Sequence, residues 1–161
     1  MKINTILIAT IAAAVMTQAA TAAQWPERPI RMLVGFAPGG GTDATARAIA
    51  PKMTELLGHQ VIVDNRPGAT GNIATDIVSK SNPDGYTILM GTIAALAINP
   101  SLYEKLPYDP IKDLAPVTRA VDSTNVLVLH PSVPAKSVKE LIALAKVKSL
   151  NAGSSGVGGA G

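Results

Sequence analysis

Arg31-Met32-Leu33-Val34-Gly35-Phe36-Ala37-Pro38-Gly39-Gly40-Gly41-Thr42-Asp43 is the stretch on which the fold turns. An apolar run ends at Phe36, a Pro-Gly-Gly-Gly turn follows, and a helix-forming segment begins at Thr42. The adjacent glycines carry no Cβ, so the backbone can approach a ligand closely. Thr42 and Asp43 are residue types that cap helix N-termini, where unpaired N–H groups and a partial positive charge collect. A strand, a bare loop and a helix start together suit a small anion such as a carboxylate. A plain βα connection has the same pattern, so the surrounding chain has to decide.

Working outward, Ile30 to Phe36 reads as a buried first strand behind Pro26 and Pro29. Thr42 to Leu57 places Ala46, Ile49, Ala50, Met53, Leu56 and Leu57 at helical spacing, with Gly58 as C-cap. Pro51 inside it is expected to bend or break the helix. Val61-Ile62-Val63 is a second strand, and Asn65 to Asn72 is loop chemistry, with Asn72 a cap for a helix through Ile73, Ile77 and Val78. Asn82-Pro83-Asp84-Gly85 is a turn, and Tyr86 to Met90 a third strand. Alternation of strand and helix predicts an α/β fold with a parallel sheet covered on both faces. The glycine loop, the Pro67-to-Asn72 loop and Gly91-Thr92 then share the carboxyl-terminal edge of the strands, where small ligands bind.

Beyond Asn99 the chain becomes proline-punctuated. Leu114 to Val121 and Asn125 to His130 read as extended, and the stretch before them as a crossover into a second lobe. Ser137 and Glu140 match a capping box for a helix buried through Leu141, Ile142, Leu144 and Ala145, and Asn151 to Gly156 reads as a further strand.

Composition narrows the function classes. Lys2, the apolar Ile6 to Met16 and Ala20-Thr21-Ala22 have the layout of an export signal over residues 1–23, which accounts for much of the mean hydropathy of +0.28. Its apolar core is too short to span a bilayer, and no later stretch is longer. Cysteine is absent, which removes disulfides and suits a periplasmic protein better than a small stapled scaffold. The formal charge of +3 becomes +2 without Lys2, with 13 Lys and Arg against 11 Asp and Glu. These charges are scattered and aromatics make up only 3%, so no nucleic-acid platform is present.

Chemistry-bearing patterns are weak. Gly156-Val157-Gly158-Gly159-Ala160-Gly161 matches G-x-G-x-x-G, a weak match in so glycine-rich a region, and the acidic residue expected about twenty positions later would fall beyond Gly161. The Pro38-to-Asp43 loop lacks the Lys-Ser/Thr ending of a triphosphate loop. His59 and His130 have no spaced partners for a metal. Ser154 or Ser155 with His130 and Asp43 could form a hydrolase grouping, but no G-x-S-x-G elbow supports one. Neither a cofactor nor a metal is expected, and binding is favoured over reaction.

Longer motifs carry a resemblance. Trp25-Pro26-Glu27-Arg28-Pro29-Ile30, Phe36 to Asp43, Asn65-Arg66-Pro67-Gly68-Ala69-Thr70-Gly71-Asn72 and Pro83-Asp84-Gly85-Tyr86-Thr87 are similar to the Bug (TctC-like) receptors. Asn99-Pro100-Ser101-Leu102-Tyr103, Leu106-Pro107-Tyr108-Asp109-Pro110 and His130 to Ser137 continue it. Those receptors are extracytoplasmic solute-binding proteins of tripartite tricarboxylate transporters. The resemblance implies a two-lobed, Venus-flytrap architecture closing on a small organic acid, with the membrane subunits of such a transporter as partner. It places first-lobe ligand contacts at Phe36, Pro38, Gly39, Gly40, Gly41, Thr42 and Asp43, and at Ala69, Thr70, Gly71 and Asn72, with Thr92 nearby. It places second-lobe contacts at Ser154, Ser155 and Gly156. Residues 24–110 would form the first lobe and 111–161 the start of the second.

The family chain continues past the position of Gly161, through the second lobe and back to the first. Residues 24–161 expressed alone are therefore expected to fold poorly and bind weakly. A cooperative thermal transition together with tight carboxylate binding by that segment would overturn this expectation.

Overall fold

Ile30–Val34 (β1) buries apolar side chains on both faces, Ile30, Met32 and Val34 on one and Leu33 on the other, as the middle strand of a covered parallel sheet must. The computed structural model describes residues 24–154 and sets β1 between β2 (Val61–Asn65) and β3 (Thr87–Met90), all parallel, in the order β2–β1–β3. Helix α1 (Gly41–Leu57) joins β1 to β2, and α2 (Asn72–Ser79) joins β2 to β3. The two crossovers run in opposite directions across β1, so right-handed connections put α1 and α2 on opposite faces.

Ile30, Met32 and Val34, spaced by two, form the core with Ala46, Ala50 and Val61. Small residues at positions 46 and 50 repeat every turn of α1 and let it lie close to the sheet. Leu33 points to the other face and is fully buried. Burying side chains of this size contributes roughly 1.5–3 kcal/mol each, so β1 is the strand that the unit can least do without.

Several local expectations need correction. Helix α1 is capped by the backbone of Gly40, not by Thr42 or Asp43, because the Asp43 side chain turns inward to other partners. It runs unbroken through Pro51, which lies on the exposed side where the carbonyl it leaves unpaired can meet water. Helix α2 is preceded by Gly71 at φ 94°, with Asn72 inside its first turn. It buries Ala74 and Thr75, while Ile73 is exposed.

Before β1, Trp25 to Arg28 clasp the turn leading into β3. Trp25 Nε1 donates to the Asp84 carbonyl at 3.0 Å, the Glu27 amide donates to Tyr86 Oη at 2.8 Å, and the Arg28 guanidinium lies 4.0 Å above the Tyr86 ring. Gly85 has φ 82°, and a Cβ there would sit 2.9 Å from the Trp25 ring. Two separate motifs of the sequence are thus one structural clasp.

After β3, a wide turn (Ala94–Ile98) leads into the short helix α3 (Asn99–Leu102). Residues 115–121 and 125–130 are exposed and Leu114 is half-buried, and neither segment carries a strand, because a strand exists only within a sheet and the sheet among the described residues consists of β1, β2 and β3. Helix α4 (Val138–Val147) has the expected cap: Ser137 Oγ accepts from the Glu140 amide at 3.2 Å, while Glu140 reaches back to the Lys136 amide at 2.8 Å. None of its residues is buried among the described part, against the expected inner face of Leu141, Ile142, Leu144 and Ala145. No strand is present over 151–154, and the rest of that expected strand lies outside the described residues.

At the carboxyl end of β1, a Cβ on Gly35 would lie 2.6 Å from the Cα of Gly71. Both atoms belong to backbone, so neither can swing away. Gly35→Ala should lower stability in urea by about 1–3 kcal/mol, the usual range for overpacking. An unchanged midpoint would show that the loops are not this close.

Candidate functional site

In the order β2–β1–β3 the first connection runs from β1 to one side and the second crosses from β2 to the other, which puts the switch point beyond the carboxyl ends of β1 and β3. A shallow dimple lies there, lined by Gly35 and Phe36 after β1, Gly71 and Thr75 at the start of α2, Leu89 to Thr92 at the end of β3, and Ala95. It has no room for a water molecule, so a ligand would lie against its rim. Thr92 Oγ1 is buried among these groups and has no hydrogen-bond partner. An orphaned hydroxyl costs about 1–3 kcal/mol, a cost that a bound acceptor would remove.

The glycine loop is fixed by one carboxylate. Asp43 is 2% exposed, and its side chain accepts from the Gly39 amide at 2.9 Å, from Arg47 Nε at 3.0 Å and from Asn65 Nδ2 at 2.9 Å. Asn65 Nδ2 also donates to the Phe36 carbonyl at 3.0 Å, and Arg47 reaches Asn65 Oδ1 at 2.9 Å. Loop, helix and the end of β2 are therefore one hydrogen-bonded ring. The Arg47 guanidinium, then the Gly39 amide and Asn65, hold the Asp43 carboxyl at a pKa of about 2 against an ordinary 3.8, and burial opposes them.

The second loop is a left-handed turn. Gly68, Ala69, Thr70 and Gly71 have φ of 134°, 46°, 54° and 94°. Glycine adopts such values freely, whereas each side-chain-bearing residue costs roughly 1–2 kcal/mol there. Gly71 closes the turn: its amide donates to the Gly68 carbonyl at 3.0 Å and its carbonyl accepts from Thr75 Oγ1 at 2.9 Å. A Cβ on Gly71 would lie 3.5 Å from Phe36 and from Ala95, and 3.9 Å from Thr92 Oγ1.

Of the residues expected at the site, the structure brings Phe36, Gly71 and Thr92 together. Pro38, Gly39, Gly40 and Gly41 stand exposed, Thr42 is half-buried, and Asp43 is turned into the protein. The Gly39 amide serves Asp43, and the amides of Gly41, Thr42 and Asp43 are those of the first helical turn, which have no partner within the helix. Ala69 is exposed and Thr70 half-buried, and the Asn72 side chain is occupied by Asn99 and Tyr108. Ser154 is exposed, and Ser155 and Gly156 lie outside the described residues, as does the G-x-G-x-x-G stretch. Sequence reasoning passed over Gly35, Thr75, Met90 and Ala95. Thr75 could have been found as the hydroxyl one helical turn after Gly71.

The hydrolase grouping is not assembled among the described residues. Asp43 is held by Arg47, and His130 Nδ1 faces Ser132 Oγ at 2.8 Å on an exposed turn. His59 borders a separate hollow of about 370 Å³ at the amino ends of β1 and β2, with Trp25, Leu56 and Leu57. No group of three His, Asp or Glu side chains among the described residues is placed to hold a metal ion.

A parallel α/β unit with its crevice at the strand ends is the architecture of a solute-binding-protein lobe. The model for the tripartite tricarboxylate transporter family receptor matches residues 45–161, and the chain belongs to that family. Among solved structures it is similar to the periplasmic binding protein BugD, at 43% identity and TM-score 0.51 over 55% of this chain and 29% of that one. Similarity to MatC from Rhodopseudomonas palustris with bound malate is 37% identity and TM-score 0.54, over 55% and 30%. For R. palustris Rpa4515 with adipate the values are 37% and 0.62, over 77% and 42%. The chain spans under half the length of the curated relatives it matches, Bordetella proteins among them at 40–43% identity. No helix among the described residues is long and apolar enough to cross a membrane.

Because the folded pKa of Asp43 lies below its unfolded value, its contribution to stability is complete above pH 3.8 and is lost as the pH falls toward about 2. Asp43→Asn should be less stable than the natural protein at neutral pH and show a flatter acid limb in that window. Parallel acid limbs in urea titrations would refute the assignment.

Proposed function

We propose that this chain carries the first lobe, residues 24–110, and the start of the second, residues 111–161, of an extracytoplasmic receptor. It binds a small organic acid of the di- or tricarboxylate or acidic amino acid type and delivers it to the membrane subunits of a tripartite tricarboxylate transporter. Residues 1–23 direct it to the periplasm. Receptors of the family and the solved relatives that hold malate and adipate support the ligand class.

The observation that carries the reading is the Thr92 hydroxyl, buried without a partner at the switch point of the sheet. The amides of Gly41 to Asp43 open from the neighbouring loop. Together they offer neutral donors to one carboxylate, with no cation in the dimple lining. Ser154, Ser155 and Gly156 would close on the ligand from the second lobe, and lobe closure would exclude water from the contact.

Calorimetric titration of the full-length protein with malate and adipate should give saturable binding without turnover. Thr92→Val should weaken it by roughly 10–100-fold, the value of one hydrogen bond to a charged acceptor. Its stability should be equal or higher, since no bond within the protein is lost. Undiminished affinity in Thr92→Val would remove the observation on which the reading stands.

A further inference from the structure

The left-handed turn that delivers Gly71 to the dimple is held from outside its own loop. Asn72, the residue after Gly71, is 6% exposed, and its Oδ1 accepts from Asn99 Nδ2 at 2.6 Å and from Tyr108 Oη at 2.7 Å. Tyr108 Oη also lies 2.8 Å from the Ala95 carbonyl, so its single proton is shared between two acceptors, one at the α2 start and one in the wide turn after β3. Gly71 and Ala95 both line the dimple. Asn99 is fully buried, yet its Oδ1 has no partner. A side chain with one end left unsatisfied is explained by what its other end does, and here that end grips Asn72. Ala69 and Thr70 stay at positive φ although glycine would adopt it without strain, so the turn is shaped for rigidity.

We propose that Tyr108, with Asn99, is a positioning residue for the carboxylate site. By fixing Asn72 it keeps the strained Ala69–Gly71 turn closed and Gly71 seated against Phe36 and Thr92. The purpose of the clamp rests on the receptor reading above, whereas its existence does not. Tyr108 comes from the Leu106-to-Pro110 segment, thirty-six residues beyond Asn72, so a segment without a ligand contact of its own sets the shape of the site.

Tyr108→Phe keeps the buried ring and removes only the hydroxyl. In the ligand-free full chain, amide hydrogen exchange at Thr70 to Asn72 should speed up about tenfold while β1 amides keep their rates, as expected for the loss of one local bond. Adipate affinity, measured by calorimetry, should fall about tenfold, and Asn72→Ala should lower it as much, with no further loss in the double variant. Uniformly faster exchange in the turn and in β1, or none in either, would show that the hydroxyl serves general stability or nothing. Natural adipate affinity in Tyr108→Phe, or additive losses, would overturn the role in binding. If the natural protein binds neither adipate nor malate, the receptor reading falls and the binding role with it, while the exchange result still decides the clamp.

Discussion

The α/β unit depends on a buried carboxylate that must not be left unpaired. An isolated ionised group inside a protein is far too costly to keep, so Asp43 persists only because the Gly39 amide, Arg47 and Asn65 surround it. The arrangement closes a loop that three glycines would otherwise leave slack, since Phe36 at its start and Gly39 near its end are tied to the same pair of side chains. It also settles an electrostatic difficulty. A buried negative side chain needs a counter-charge, and Arg47, one turn along α1, supplies it at 3.0 Å. The charge that shapes the exposed loop is thus turned into the protein.

Much of this was legible in the sequence, for reasons tied to particular residues. The apolar run Ile30–Val34, the helical spacing of Ala46 and Ala50, the β-branched Val61-Ile62-Val63 and the Gly58 cap are local signals, and each is where it was expected. The misreadings share a cause. Asn72 has the chemistry of a cap, and only contacts with Asn99 and Tyr108 far along the chain reassign it. Ile73 and Ile77 gave α2 an apolar face by pattern, yet Ala74 and Thr75 are the buried residues, because a helix crossing this near to Gly35 has space only for small side chains. Leu114 to His130 have strand composition, but pairing is non-local and composition cannot supply a neighbour.

The site divides in the same way. Phe36 and the glycine loop announce themselves, and Thr92 could be placed at a strand end. That its hydroxyl would be orphaned could not be read, because burial of one oxygen is a property of three loops at once. The approach of Gly35 to Gly71 is likewise invisible in either motif alone. The family resemblance named both loops without saying which of their groups are spent internally. The geometry separates the Gly39 amide, used by Asp43, from those of the α1 first turn.

The motifs through which the chain resembles its family therefore do two different jobs. Trp25, Arg28, Gly85 and Tyr86 hold the amino ends of the strands together and never approach the dimple. Gly35, Gly71 and Thr92 shape the carboxyl ends. Both sets belong to the same three strands, one at each end of the sheet. A sheet built this way is clasped at one end by side chains and shaped at the other by the close approach of two glycines.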